Sequence, residues 1–473
     1  MKVLQWTVLA SGLLLLPAVS RQPSSAAAPP RPNVVVIMTD DQTVADLRAL
    51  PKTRALLADH GTTFANSFVA YALCCPSRAT YLTGQYAHNH GVMGNKPPNG
   101  GYARLDHANT LPVWLQAAGY DTAHVGKYMN GYGLRSPTEV PPGWSRWFAL
   151  VDPATYQMYG YSVNDDGVLV DYGDRAADYQ TDVLAREAER FVRAREGLPQ
   201  PFFLSVAPLA PHLERSDEAG KGTPPRPAPR HAGRFAAEPL PAKPSFNEAD
   251  LGDKPPNVRK LPPLSSARVA AITATHRARL ASLLAVDDLV ERLVDALAET
   301  GQLDDTVIVF TSDNGFLLGE HRVPDGKYLP YEESIRVPLI IRGGRFPAGA
   351  TAAQPVSNID LAPTIVALTG AVPRRTMDGQ SLLPLALDPK KGTDRALLVE
   401  GVKVNSGRPT FQAVRDARWL YVEYAGGARE MYDLQTDPYQ VRSQPDAAAF
   451  LKARANLARR LARLRKCAGA GCR

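Results

Sequence analysis

The chain has 473 residues, of which 44% are hydrophobic and 21% are charged. This composition supports a sizeable core and excludes a chain that is mostly disordered. The formal net charge is +7, which fits either steering of an anionic substrate or a surface charge that serves solubility. Nucleic-acid binding is not indicated, because no segment interleaves basic with aromatic residues and no binding module is recognisable.

The N-terminus has the features of an export signal. Lys2 supplies a positive charge, an apolar stretch runs from residue 8 to 16, and the small residues Ala18 and Ser20 follow. The apolar stretch is too short to span a bilayer. Residues 1–28 are therefore predicted to be a cleaved signal peptide rather than a transmembrane anchor, and the mature protein is predicted to be secreted.

A buried strand is predicted at residues 34–38, which form a continuous apolar run rich in β-branched side chains. Two carboxylates, Asp40 and Asp41, follow this run directly. In open α/β sheets ligands bind outside the carboxyl ends of the strands. The pair is therefore a candidate binding site.

Residues 73–84 read Leu-Cys-Cys-Pro-Ser-Arg-Ala-Thr-Tyr-Leu-Thr-Gly. Cys74 lies at the start of a predicted helix with the cation Arg78 nearby, an arrangement that activates a thiolate. The Arg78 guanidinium also suits a tetrahedral oxyanion, because its planar fork donates two hydrogen bonds. From the residues alone, this segment is either a Cys nucleophile or an oxyanion site.

The middle of the chain alternates strands with a long helix. Apolar runs predict strands at 202–207, 306–311 and 337–342. Apolar residues at helical spacing from 286 to 297 predict a helix that ends before Gly301. This alternation predicts an α/β fold with a largely parallel sheet.

Residues 213–263 interrupt this pattern. They are rich in Pro, Lys and Arg, show little periodicity and directly follow His212. A loop of this length is usually functional or partly disordered. We predict a long surface insertion, which is either a lid beside the site or a plain surface excursion.

The C-terminal region, 389–473, is predicted to form a small sheet and a basic helix. Its short antiparallel strands are predicted at 397–400, 411–415, 419–424 and 430–434. The Arg-rich helix either touches an anionic polymer or packs its Leu and Ala face on the domain. Cys467 and Cys472 are predicted to form a local disulfide in an exported protein, whereas a bond between the adjacent Cys74 and Cys75 would be strained.

Four oxygen-bearing side chains follow two predicted strands, namely Asp40, Asp41, Asp313 and Asn314. Brought together they make an all-oxygen cage with excess negative charge, which suits Ca²⁺ or Mg²⁺ better than Zn²⁺. Either pair alone is also explained by a helix cap or a turn.

The segment at Cys74 resembles the signature of the sulfatase family, Cys-x-Pro-Ser-Arg followed by a helix that ends in Thr-Gly. Further motifs match the family in order along residues 31–440. They are Asp40-Asp41, Gly126-Lys127, Pro211-His212, Asp313-Asn314-Gly315, Gly326-Lys327 and the Arg-Val-Pro-Leu of residues 336–339. The resemblance implies an alkaline-phosphatase-like α/β sandwich over residues 30–388, with the smaller antiparallel sheet in the C-terminal subdomain.

The resemblance also implies a mechanism. Cys74 is oxidised to formylglycine by a formylglycine-generating enzyme, and the hydrated aldehyde attacks sulfur. The implied ligands of the metal, Ca²⁺ or alternatively Mg²⁺, are Asp40, Asp41, Cys74, Asp313 and Asn314. Arg78, Lys127 and Lys327 neutralise charge on the sulfuryl oxygens, and His212 protonates the leaving alcohol.

One position departs from the pattern of many sulfatases, which carry a His two residues after the first Lys. Met129 stands there and cannot move protons. His321 could contribute the base that this position usually supplies, although a structural role for His321 is the alternative. Asn130 could instead orient the diol by hydrogen bonding. The surrounding residues resemble the N-acetylglucosamine-6-sulfatase branch, which implies a sulfated amino sugar as substrate and activity on aryl sulfates.

Two rival functions stay open from the sequence. A phosphodiester or phosphonate monoester hydrolase of the same superfamily could use the same metal and cations. A non-catalytic glycan-binding relative would leave Cys74 as a thiol, although the retained charged residues argue against it.

Overall fold

The structure, a computed structural model, describes residues 1–7, 31–215, 222–390, 394–401 and 410–473. Met1–Pro30 and Arg31–Arg473 are separate compact units. Of the first unit only residues 1–7 are described, without helix or strand, so most of the predicted signal peptide lies outside the described residues. Within the described ranges, no helix combines the length and apolar character that crossing a membrane requires.

Largely apolar runs produce the central strands at 33–39, 202–207 and 306–312. In chain order the strands are β1 (Asn33–Thr39), β2 (Gly61–Phe64), β3 (Ser67–Phe68), β4 (Asp121–Gly126), β5 (Arg146–Leu150), β6 (Tyr161–Asp165), β7 (Val168–Tyr172), β8 (Phe202–Ala207), β9 (Glu214–Arg215), β10 (Gly222–Thr223), β11 (Thr306–Ser312), β12 (Leu339–Arg342), β13 (Ala350–Ala352), β14 (Val356–Ser357), β15 (Leu397–Gly401), β16 (Phe411–Arg415), β17 (Trp419–Tyr424) and β18 (Arg429–Asp433).

The helices differ greatly in length, from single turns to one of 34 residues. They are α1 (Pro51–Thr53), α2 (Cys74–Thr83), α3 (Ala87–His90), α4 (Leu111–Ala117), α5 (Gln180–Arg193), α6 (Pro256–Arg259), α7 (Ser266–Glu299), α8 (Glu332–Ile335), α9 (Leu361–Thr369), α10 (Leu383–Leu387) and α11 (Leu451–Leu464).

Ten strands form one mixed sheet in the order β13-β2-β12-β11-β1-β8-β4-β5-β6-β7. Its centre is parallel, since β1 pairs in parallel with both β11 and β8, and β4 with both β8 and β5. This confirms the predicted α/β fold with a mostly parallel sheet. The strand predicted at 337–342 begins at Leu339 and is antiparallel to β11, because the connection contains only the single turn α8 and no long crossover helix.

Helices cover both faces of this sheet, as in a sandwich. Successive side chains of β1 point to opposite faces. Val35 and Ile37 pack in one core with α5 and α7, while Val34 and Val36 pack in another with α2, α4 and α9. The helix predicted at 286–297 is the second half of α7.

The C-terminal sheet has the order β15-β16-β17-β18 and is antiparallel throughout. This confirms the predicted smaller sheet. Helix α11 packs against it through Leu457, Leu461 and Leu464. Arginines on α11 pair with acidic residues of the same unit, as Arg454 does with Asp446 and Arg460 with Asp394, so the packed alternative describes this helix. Cys467 and Cys472 form the predicted disulfide.

The described part of 213–263 has little regular structure but packs closely on the loop at 319–322. Asn247 N donates to Gly319 O at 2.9 Å, and His321 N donates to Ser245 O at 2.7 Å. The Lys254 side chain is fully buried beside Glu248, at 3.0 Å. The domain limits at residues 28, 30, 388 and 389 stay predictions.

Candidate active site

The candidate residues gather at one edge of the large sheet, where its parallel strands end. Asp40 follows β1, Lys127 follows β4 and Asp313 follows β11, while His212 lies five residues after β8. Since these strands run in the same direction, their carboxyl ends bring the four side chains together. Asp40 and Asp313 are fully buried and Lys127 is nearly so, whereas His212 is partly exposed.

Cys74 begins helix α2 at the centre of this cluster, with 1% of its surface exposed. Lys327 Nζ donates to Cys74 Sγ at 2.9 Å, and Sγ lies 3.8 Å from Asp40 Oδ1. Burial raises the pKa of the Cys74 thiol, and the lysines only partly oppose this effect. The surroundings therefore hold a neutral thiol rather than the activated thiolate that the sequence suggested.

Asp40 is surrounded by cations. The Lys127 ammonium forms an ion pair with Asp40 Oδ2, and Arg78 Nη2 lies 3.4 Å from the same oxygen. Burial alone would raise the pKa of Asp40, but Lys127, His212 and Arg78 together hold it well below its usual range. Asp40 is therefore ionised, as a metal ligand must be.

Asp41 has a left-handed backbone with φ of 69°, which turns its side chain toward Asn314. Asn314 Nδ2 donates to Asp41 Oδ1 at 2.6 Å, and Lys327 forms an ion pair with the same oxygen. Two oxygens, Asp41 Oδ2 and Asn314 Oδ1, are buried and accept no hydrogen bond from any residue that the structure describes. A buried oxygen without a donor is costly unless a cation satisfies it.

The donor set fits a divalent metal. Among the described residues, single ligand atoms of Asp40, Asp41, Cys74 and His212 all lie within 4.8 Å of one another. Together with Asn314 they are mostly hard oxygen donors, which suit Ca²⁺ or Mg²⁺. Among the predicted ligands, Asp313 already has a protein partner on each oxygen, since Oδ2 accepts from Arg78 Nε at 2.9 Å and Oδ1 from Asp41 N at 3.2 Å.

Arg78 connects these elements from α2. Besides Asp313, it donates through Nη1 to the carbonyl oxygen of Lys127 at 2.7 Å. Burial and the charge of Asp40 raise the pKa of Asp313 to about 6, although Arg78 opposes them. The site thus holds three cations, Arg78, Lys127 and Lys327, around a cluster of carboxylates.

His212 borders the cluster with its ring partly exposed. Its Nδ1 donates to Leu213 O at 2.6 Å, which leaves Nε2 facing Asp41 Oδ2 at 3.5 Å. Burial lowers the pKa of His212 to about 4, although Asp41 and Asp40 act in the opposite direction. The imidazole is therefore neutral at pH 7 when no anionic ligand is present.

Met129 stands where many sulfatases carry a His, and Asn130 and His321 are the two alternatives named above. None of these three residues forms a described hydrogen bond with Cys74. Met129 is buried among apolar side chains. Asn130 N donates to the sulfur of Cys75 at 3.0 Å, and its amide donates to the Tyr156 hydroxyl. His321 is buried against Glu248, with Nδ1 2.7 Å from Oε2, which fits the structural alternative.

Sequence reasoning missed two residues of the site, Tyr156 and Arg279. The Tyr156 ring lies 4.8 Å from Lys127 Nζ and 5.1 Å from the His212 ring, and nothing in its local sequence signals this. Arg279 is 1% exposed on α7. It lies in register with the apolar stripe of that helix, and a cation on an apolar stripe is a signal that could have found it.

The chain matches known proteins in sequence and in structure. The family model described as Sulfatase matches residues 32–371. A second, described as N-sulphoglucosamine sulphohydrolase, C-terminal, matches residues 319–467. An arylsulfatase of Volvox carteri is 34% identical over 88% of this chain and 72% of its own length. The N-acetylglucosamine-6-sulfatase of Homo sapiens is 37% identical over 76% of this chain, which spans only 65% of that protein.

Two solved structures extend the comparison. One, described as a complex with its substrate D-glucosamine-2-N,6-O-disulfate, has a TM-score of 0.79 and 25% identity, covering 92% of this chain and 98% of that one. The phosphonate monoester hydrolase of Agrobacterium radiobacter has a TM-score of 0.66 and 25% identity, covering 92% and 95%. The same fold therefore occurs with both sulfate and phosphonate esters as substrates.

Proposed function

The chain belongs to the sulfatase family of sulfuric ester hydrolases, and we propose that it cleaves sulfate esters with a formylglycine at position 74 and a bound Ca²⁺ or Mg²⁺. The observation that carries the proposal is the place of Cys74. It begins α2 with Lys327 Nζ at 2.9 Å and Asp40 Oδ1 at 3.8 Å. A hydrated aldehyde at this position lies among the proposed metal ligands and the cations.

The charged residues have separate roles in this proposal. Asp40, Asp41, Asp313, Asn314 and residue 74 would hold the metal, with His212 also within ligand distance of this group. The bound metal would act as a Lewis acid at the reacting oxygens. The three cations named above would bind the sulfuryl oxygens and neutralise the charge that develops on them.

The covalent steps use residue 74 and His212. Water adds to the aldehyde and gives a diol. One diol oxygen forms a bond to sulfur as its own proton passes to solvent, while the bond from sulfur to the alcohol oxygen breaks. His212 Nε2 gives a proton to the leaving alcohol, and the nearby substrate anion raises the pKa of His212 from its low resting value. The second hydroxyl then loses its proton, the carbon–oxygen bond to the sulfate breaks, and the aldehyde reforms.

The proposed substrate is a sugar sulfated in the manner of N-acetylglucosamine-6-sulfate, with aryl sulfates as simpler substrates. Two similarities support this class, the human N-acetylglucosamine-6-sulfatase and the structure that contains a doubly sulfated glucosamine. A second candidate is a phosphonate or phosphodiester substrate, which the similarity to the phosphonate monoester hydrolase favours. Comparing kcat/KM for sulfate, phosphate and phosphonate esters of one phenol separates the two.

Maturation and export belong to the same proposal. A formylglycine-generating enzyme would convert Cys74, and the predicted signal peptide would direct the chain outside the cell. The disulfide between Cys467 and Cys472 supports an oxidising destination.

Mass spectrometry of the tryptic peptide 55–78 tests the nucleophile. Conversion lowers its mass by the difference between CH₂SH and CHO, localised to Cys74, while Cys75 stays unmodified. Cys74→Ser should accept one sulfate per molecule and then stop, since it lacks the second hydroxyl. Cys75→Ser is the matched control and should retain turnover. An active enzyme with an unmodified Cys74 thiol contradicts the proposal and moves the thiol-based or glycan-binding roles forward.

A further inference from the structure

We propose that Arg215 binds a second anionic group of the substrate, next to the sulfate that is cleaved, and so selects doubly anionic sugars over simple aryl sulfates. This inference rests on the proposed function and names a subsite for it. The chemical class of the ligand is a sulfated amino sugar that carries a further sulfate or carboxylate.

Arg215 and the site share one aromatic ring. The Arg215 Cζ lies 4.2 Å from the centroid of the Tyr156 ring, and Lys127 Nζ lies 4.8 Å from the same centroid. The His212 ring packs on Tyr156 as well, at 5.1 Å. Arg215 is therefore one ring away from the groups that would hold the reacting sulfate.

Tyr156 is a rigid support for Arg215. Its ring is 2% exposed, and its hydroxyl accepts a hydrogen bond from Asn130 Nδ2. A guanidinium stacked on an aromatic face keeps its edge free for hydrogen bonds to an anion. Because the arginine is already held in place, binding an anion costs less side-chain entropy.

The charge of Arg215 is not neutralised by any described carboxylate. Across the described ranges, no carboxylate forms an ion pair with it, and its side chain is exposed. The adjacent carboxylate, Glu214, is buried and already accepts from Arg226 Nη2 at 2.6 Å and from Met158 N at 3.1 Å. An exposed cation beside the proposed sulfate site, whose adjacent described acid already has other partners, fits a second substrate anion.

Kinetics on four substrates test the subsite. They are p-nitrophenyl sulfate, N-acetylglucosamine-6-sulfate, glucosamine-2-N,6-O-disulfate, and a disaccharide that joins a uronic acid to 6-sulfated glucosamine. In Arg215→Gln, KM for at least one doubly anionic sugar should rise roughly tenfold with kcat unchanged. KM for the two singly anionic substrates should not change. Arg459→Gln, an exposed arginine of α11 without a described ion pair, is the matched control.

The two doubly anionic substrates distinguish a second sulfate from a carboxylate as the group recognised. Affinities of the same ligands for Cys74→Ala protein, with and without Arg215→Gln, are measured separately from turnover. A wild-type protein that binds these sugars through Arg215 but cleaves no sulfate refutes the proposed function and retains the subsite. Equal effects of Arg215→Gln on all four substrates, or no effect on either doubly anionic sugar, refute the subsite.

Discussion

Arg279 Nη2 donates to the backbone carbonyl oxygen of Asp41 at 2.6 Å. The same guanidinium donates through Nη1 to Pro211 O at 3.0 Å. A single buried cation from α7 therefore ties the turn that carries Asp41 to the turn that carries His212. Through these two carbonyls it sets the distance between a proposed metal ligand and the proposed acid.

Replacing Arg279 with Met should lower kcat and weaken Ca²⁺ binding together. Each lost hydrogen bond to a charged donor costs about 1.5–3 kcal/mol, and both carbonyls would be left buried without a donor. We expect kcat to fall by roughly 10- to 100-fold, with a weaker calcium affinity by titration calorimetry. Arg279→Lys should recover part of both losses, because an ammonium can still reach one carbonyl.

Arg292→Met is the matched control for this experiment. It removes an exposed arginine of the same helix, whose ion pair with Glu189 spans 3.0 Å at the surface. Its kcat and calcium affinity should stay at the wild-type values. If Arg279→Met loses thermal stability but keeps both values, its role is structural only.

Calcium should stabilise the folded protein, and Asp41→Asn should abolish most of that effect. The buried and unpartnered oxygens of Asp41 and Asn314 are the physical reason. A ligand present at a hundred times its Kd contributes about 2.7 kcal/mol to stability. Melting temperatures measured with EDTA, with added Ca²⁺ and with added Mg²⁺ check this, and equal values in all three for the wild-type protein would contradict the proposed metal site.

Lys243→Met should destabilise the protein strongly. Lys243 Nζ lies 2.7 Å from Glu320 Oε1 and 3.1 Å from Glu333 Oε1. Burial and the charge of Glu320 raise the pKa of Glu333, so removal of the lysine leaves two carboxylates buried without compensation. The free energy of unfolding in urea should fall by about 3–5 kcal/mol.

A second substitution separates charge from packing in this cluster. Glu320→Gln in the Lys243→Met background should recover part of the loss, since it removes the repulsion between the carboxylates. Lys96→Met, which removes an exposed lysine, should leave the unfolding curve unchanged. No recovery in the double variant would mean that the aliphatic chain of Lys243, rather than its charge, stabilises this contact.

Stability should fall as the pH is lowered below about 6.5, and His90 should contribute to the fall. Val92 N donates to His90 Nδ1 at 3.1 Å, and burial lowers the pKa of His90 to about 3. Between these two pH values the His90 side chain is protonated in the unfolded chain and neutral in the folded chain. Each pH unit in this window therefore costs about 1.4 kcal/mol.

His90→Asn provides the comparison, because its side-chain oxygen can accept from Val92 N without titrating. Its unfolding free energy should depend less steeply on pH between 6 and 4 than that of the wild-type protein. The two proteins are compared by urea unfolding at several pH values. Parallel curves would show that His90 does not titrate in the way its burial implies.

The sequence predicts the centre of the fold better than its edges. The strand expected at 202–207 is β8 residue for residue, because a continuous apolar run has one stable place, inside a covered sheet. The start of α7 was missed because its first turns carry few buried residues, so no apolar stripe marks them. The direction of β12 depends on how its connection crosses the sheet, which local pattern does not encode.

The site divides in the same way. Asp40, Asp41, Asp313 and Asn314 lie directly after strands, so their neighbourhood follows from the parallel sheet. Tyr156 and Arg215 reach the site only through the packing of separate loops, and no spacing in the sequence relates them. The hydrogen-bond partner of each residue cannot be predicted from the sequence either. Asn130, for example, contacts Cys75 instead of Cys74.

The burial of Cys74 fixes the order in which modification and folding can occur. With 1% of its surface exposed, the thiol is out of reach of any modifying enzyme once α2 has packed on the sheet. The oxidation proposed for Cys74 must then precede folding, during or soon after synthesis. Under the proposed function, a chain that folds before oxidation stays inactive for as long as it remains folded. Adding the modifying enzyme to the native protein would not activate it. The specific activity of a preparation would then measure the fraction of its chains that was oxidised before folding.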